Sequence, residues 1–292
     1  MTKSLFALVA NSRRAAAPEA VAITIALLAL LIATQGAARL LLRSILPDRT
    51  QLVGEAVAEI IGFVAMLCGL GLWLRWRSGR SLSSLGFERE GATRSSLRGA
   101  LAAVAMVAAT AGLVVTTGAT FAPGTVQSVG VTALGVGLFL LLVNIVQASA
   151  EEALFRGWLL QALGARYGPW IGLVLSSLLF SLAHVLGTGF APLAALNLFL
   201  FGVFASLYAW RAGGLWGVCA WHALWNWAHG RLLGFAVSGS AAEAGLLTSI
   251  APTGPDAITG GRFGPEGGLA ATLVFLFAIG VLAVARRRDR RP

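Results

Sequence analysis

Charge is what this sequence has least of. Charged side chains make up 12% of its 292 residues, against 57% hydrophobic ones, too few to cover the surface of an ordinary water-soluble domain of this size. Cysteine is scarce too: Cys68 and Cys219 are the only two, and both fall in apolar runs, which argues against a disulfide framework. No H-E-x-x-H segment occurs, so the single helix bearing both histidines of many zinc proteases is absent. Internal repeats are also missing, which counts against an inverted-repeat transporter using a buried Glu/His proton relay.

Long apolar runs are abundant. About 20 apolar residues cross a hydrocarbon core roughly 30 Å thick, and such runs recur at 20–42, 53–75, 99–121, 133–163, 169–187, 190–210, 214–236 and 269–286. The predicted fold is all-α, a polytopic transmembrane bundle of about eight spans. The run from Ala20 to Ala38, behind Lys3, Arg13 and Arg14, has the charge order of a signal peptide but is too long for one, and reads as an uncleaved first span. A formal charge of +10 would suggest nucleic acid in a soluble protein. Here the arginines flank spans, at Arg75, Arg77 and Arg80 and in the terminal Arg286–Arg291 segment, as cytoplasmic anchors do. The reading therefore places both termini in the cytoplasm, expects anionic lipid headgroups at the basic tail, and assigns no nucleic-acid partner.

Three regions follow. Residues 1–98 hold two spans and a polar connector, 81–98, read as lying on the membrane surface. Residues 99–237 are the core bundle. Residues 238–292 hold a Gly/Pro/Ser-rich outer segment, 238–268, then a last span and the tail. The outer segment reads as a turn-dense loop, a connector or a lid.

Within the core, ionisable residues stand inside apolar spans, where even insertion-based scales charge about 2.5 to 3.5 kcal/mol for Asp or a basic residue at a helix centre. Glu152 and Arg156 are four apart and can pair on one helix face. Glu151 projects about 100° away, on the stripe of Gln147 and Asn144, and is left to act as a base. His184 lies at about the same depth in the next span. His222 and Asn226 stand one turn apart in another, among Trp216, Trp221, Trp225 and Trp227; counted from Gly213, His222 comes out shallower than His184. His229, beside Arg231, reads as an interfacial anchor. A Glu and two His have the ligand types of a catalytic zinc site, and equally supply a base and donors for metal-free water attack.

The order Glu151-Glu152-x-x-x-Arg156, Phe180-x-x-x-His184, His222-x-x-x-Asn226, with the run Asn197-Leu-Phe-Leu-Phe-Gly202 through Trp210-Arg211-Ala-Gly-Gly214 between them, resembles the CPBP intramembrane protease family. That family includes the Rce1-type CAAX prenyl endopeptidases and the bacterial lysostaphin-resistance-like proteins. The resemblance covers roughly residues 130–230. It implies an endopeptidase acting on a membrane-associated peptide or protein. Glu151 and His184 would activate water, His222 and Asn226 would stabilise the oxyanion, and Glu152 and Arg156 would hold the site together. If a metal is used, Glu151, His184 and His222 would hold it, with zinc the expectation. The Ala, Gly and Arg content suggests a bacterial inner membrane. The alternative is a non-catalytic member acting in bacteriocin immunity or membrane-protein binding.

Overall fold

The computed structural model describes residues 17–46, 51–125, 130–188, 191–239 and 245–288. The basic residues Lys3, Arg13 and Arg14 and the end of the arginine tail lie outside them. Eight apolar helices carry the fold: α1 (Ala17–Ile45), α2 (Gln51–Ser78), α3 (Ala92–Thr116), α4 (Val131–Tyr167), α5 (Pro169–Thr188), α6 (Pro192–Ala212), α7 (Trp216–Trp227) and α8 (Leu269–Arg288). Five of them, α1 to α4 and α6, are long and apolar enough to cross a membrane; the apolar stretches of α5 and α8 are shorter. The protein is a multi-pass, all-helical membrane protein.

The helices begin and end where the chain chemistry directs. Pro192 opens α6 at a position whose N–H has no helical partner, and Gly213, with φ 69°, closes it in the left-handed region. The α1–α2 hairpin is tied at both ends by ion pairs. Glu19 meets Arg77 at 2.7 Å, and Glu55 meets Arg39 at 2.9 Å and Arg43 at 2.7 Å.

Helix α4 is the central post. From Glu151 to Gly164 every residue is buried, the pattern of a helix surrounded by protein on all sides. Where helices must approach closely, small residues meet. A methyl group on Gly99 of α3 would sit 1.9 Å from the Gly217 carbonyl oxygen of α7, and one on Gly202 of α6 would sit 2.8 Å from Ser177 Cβ of α5. Such contacts let backbones pack at short range where lipid provides no hydrophobic drive between helices.

Two features depart from the sequence reading. The outer segment is no plain loop: Thr248–Pro252 (β2) pairs antiparallel with Ala119–Pro123 (β1), Phe121 opposite Ile250, forming a two-stranded ribbon in an otherwise helical fold. The connector does not simply lie on a surface either. Leu85 is fully buried, its carbonyl accepts from Gln161 Nε2 at 3.1 Å, and Gly86 O accepts from Leu215 N at 2.8 Å. The connector thus covers the start of α7 and lets that helix begin inside the protein.

Candidate active site

Glu151 and Glu152 end the regular part of α4, and a π-helical turn, Ala153–Leu159, follows at once. Such bulges recur at functional sites. Arg156 lies within this turn and still reaches back one turn: its Nη1 donates to Glu152 Oε1 at 3.0 Å, both groups fully buried. The guanidinium carbon lies 4.4 Å from the centre of the Phe180 ring, so the cation is held by a carboxylate and an aromatic face.

The histidines are fixed through one nitrogen and aimed with the other. His184 Nδ1 lies 3.0 Å from the Phe180 carbonyl, an acceptor only, so Nδ1 carries the proton. His222 Nδ1 donates to Glu152 Oε1 at 2.9 Å. Each Nε2 then turns toward one atom: Glu151 Oε2 lies 3.8 Å from His184 Nε2 and 3.9 Å from His222 Nε2. That oxygen is buried and, among the described residues, has no hydrogen-bond partner. The rings pack on Phe180 and Phe201, whose planes are nearly parallel at 5.3 Å.

The depth mismatch expected for His222 does not keep it from the site: its Nε2 and that of His184 approach the same Glu151 oxygen. Asn226, one turn further, lines a polar cavity of about 360 Å³ together with Asn144, Gln147, His184 and Ser238. Among the described residues its amide has no hydrogen-bond partner. The stripe of Asn144, Gln147 and Glu151 is present, with Gln147 Nε2 at 3.4 Å from Glu151 Oε1.

Arg39, Glu59 and Arg231 also line the cavity and were missed. Arg39 and Glu59 carried the right signal, a charge inside an apolar run. His229 is a correction. It is buried beneath the outer segment and bonded through Nδ1 to the Trp225 carbonyl at 3.1 Å, not placed at an interface. The cause is Glu266, buried in that segment. Its carboxylate accepts from Trp225 Nε1, Ser238 N and Ser238 Oγ, each at 2.7 Å, which ties Ser238 and Glu266 to the end of α7. Asn197 of the matched run completes the seam, donating to the carbonyls of Glu266 and Gly268 at 2.8 Å.

The three atoms that converge have the donor types of a metal site, with each imidazole held through its other nitrogen as bound histidines are. Ligands of a tetrahedral zinc lie about 3.3 Å apart; the observed gaps are wider, and among the described residues no three such side chains are drawn closely enough to form a metal group. Gaps of 3.8 and 3.9 Å suit a bridging water as they stand, or a zinc ion after closure of about half an ångström.

No curated protein and no solved structure matches the chain. A family model does: that of the type II CAAX prenyl endopeptidase Rce1-like proteins, over residues 132–228. Helices α1, α2, α3 and α8 fall outside the match. The segment that carries Glu151, Glu152, Arg156, His184, His222 and Asn226 is thus similar to the Rce1-like group of CAAX prenyl endopeptidases, over about a third of the chain.

Proposed function

We propose that the protein is an intramembrane endopeptidase that hydrolyses a peptide bond in a membrane-associated peptide or protein. The observation that carries this reading is the buried, unpartnered Glu151 Oε2 facing two histidine Nε2 atoms beside a polar cavity. A buried acceptor without a partner is costly, and a structural ion pair would have closed the gap, as Glu152 and Arg156 do. The space fits a reactive water.

Glu151 takes a proton from that water, with the His184 ring orienting it, and the water oxygen bonds to the substrate carbonyl carbon. The carbonyl oxygen, now negative, accepts from the amide of Asn226, which lines the cavity, and from His222 when its ring carries both protons. Glu151 then passes the proton to the leaving nitrogen as the C–N bond breaks. Glu152 takes no proton in this scheme; it holds His222 and Arg156. If a zinc ion is used, Glu151, His184 and His222 would hold it, and it would supply charge stabilisation and a more acidic water. The approach of two imidazole Nε2 atoms to one carboxylate oxygen beside a polar cavity supports the enzyme reading over a purely binding one.

Comparative peptidomics of membranes from cells making wild-type protein or Glu151→Ala tests this reading and names the substrate. Peptides present with the wild type and absent with the variant are expected. Indistinguishable peptide sets, with both proteins in the membrane at equal level, contradict it.

A further inference from the structure

Helices α3, α6 and α8 border two cavities that the peptidase site does not use. One is a polar pocket of about 780 Å³ between the connector, the start of α3 and the turn after α6, lined by Arg94, Arg98, Arg211, Glu88 and Glu90. The other is an apolar groove of about 450 Å³ between α3, α6 and α8, lined by Ala102, Ala105, Ala109, Phe204 and Phe277. Tyr208 and Leu282 line both, so the two adjoin as a recess that is polar on one side and apolar on the other. Arg211 Nη1 donates to the Leu282 carbonyl and holds α8 against the junction.

We propose that this recess binds one anionic phospholipid, its phosphate at Arg94 and Arg98 and one acyl chain in the groove. Arg94 and Arg98 are exposed, four apart on α3, and among the described residues form no ion pair. The pocket holds three arginines against two glutamates, leaving positive charge in excess, and a guanidinium pairs with phosphate through two parallel hydrogen bonds. Basic pockets at helix ends beside the bilayer suit anionic headgroups.

The groove argues for a lipid over a free phosphate ion. Ala102, Ala105 and Ala109 lie on one face of α3, and their small side chains leave the width of a hydrocarbon chain. Packed aromatic rings stand between the groove and the peptidase site. Phe204 packs on Trp221 at 4.6 Å, Trp221 on Phe201 at 4.7 Å, and Phe201 on His222 at 4.7 Å, an aromatic wall that separates a bound chain from Glu151. The occupant is thus a resident lipid and not the substrate's own tail.

The test is native mass spectrometry of the full-length protein in lipid-free detergent, titrated with phosphatidylglycerol or phosphatidylcholine of identical chains. One phosphatidylglycerol is expected to bind in preference. The double variant Arg94→Gln/Arg98→Gln should weaken it roughly thirtyfold, equivalent to about 1 kcal/mol per arginine, without changing phosphatidylcholine binding. Ala105→Phe, with Ala109→Leu as a milder second filling, should weaken both lipids, while Arg75→Gln/Arg77→Gln should change neither. Equal affinity of the wild type for the two lipids overturns the proposal, as does undiminished phosphatidylglycerol binding by the double variant. Displacement of the lipid by inorganic phosphate at equal concentration overturns it too, since that identifies a site for the ion alone.

Discussion

His222 Nδ1 and Arg156 Nη1 both bind one atom, Glu152 Oε1, at 2.9 and 3.0 Å. A single carboxylate oxygen therefore joins the central helix to α7 and sets the direction in which the His222 ring points. Glu152→Gln keeps the shape and removes the charge, stranding a fully buried Arg156. Breaking a buried pair this way costs about 3–5 kcal/mol. Thermal unfolding in detergent should show the loss, and the double variant Glu152→Gln/Arg156→Met should be less unstable than the sum of the single variants, because it strands no charge.

Glu151→Gln should behave differently. The residue makes one weak hydrogen bond, to Gln147 at 3.4 Å, so the melting temperature should hold or rise. Peptide cleavage should fall by at least about 10²-fold, the lower end for a lost general base.

For Asn226→Ala the expected effect is a fall in kcat of roughly 10²- to 10³-fold with little change in KM, as for a lost oxyanion donor. A rise in KM at unchanged kcat would assign Asn226 to ground-state substrate binding instead.

The outer segment is pinned by Glu266. Glu266→Ala removes three hydrogen-bond acceptances to Trp225 and Ser238, each worth about 1.5–3 kcal/mol for a charged partner at most. Limited proteolysis should then cut within 238–268 in the variant under conditions that leave the wild type intact.

Close helix contact gives a further prediction. Gly99→Ala places a methyl group 1.9 Å from the Gly217 carbonyl oxygen, and backbone cannot give way as a side chain can. The α3 and α7 helices must separate, and the variant should lose about 1–3 kcal/mol by thermal unfolding, the usual cost of overpacking.

Much of the site could be read from the sequence because its logic is helical. Spacing of four pairs Glu152 with Arg156, the stripe of Asn144, Gln147 and Glu151 follows from the same period, and charges inside apolar runs mark where protein replaces lipid. What could not be read depends on contacts distant in sequence. That His222 reaches the Glu151 oxygen shared with His184 depends on how α4, α5 and α7 pack, which depth counted from Gly213 does not show. His229 looked interfacial because nothing local reveals that Glu266 folds back to bury it. The β ribbon joins residues 119–123 to 248–252, segments whose short alternation carries little signal beside eight apolar runs. The π turn after Glu152 leaves no mark in the sequence either.

The most direct measurement is cleavage of a substrate peptide, identified from the membrane peptide comparison, by the purified protein reconstituted in liposomes beside Glu151→Gln at matched protein level and matched melting temperature. The account predicts cleavage at one peptide bond by the wild type, with the glutamine variant slower by about 10²-fold or more. Equal rates for the two proteins would contradict the assignment of Glu151 as the base that activates water.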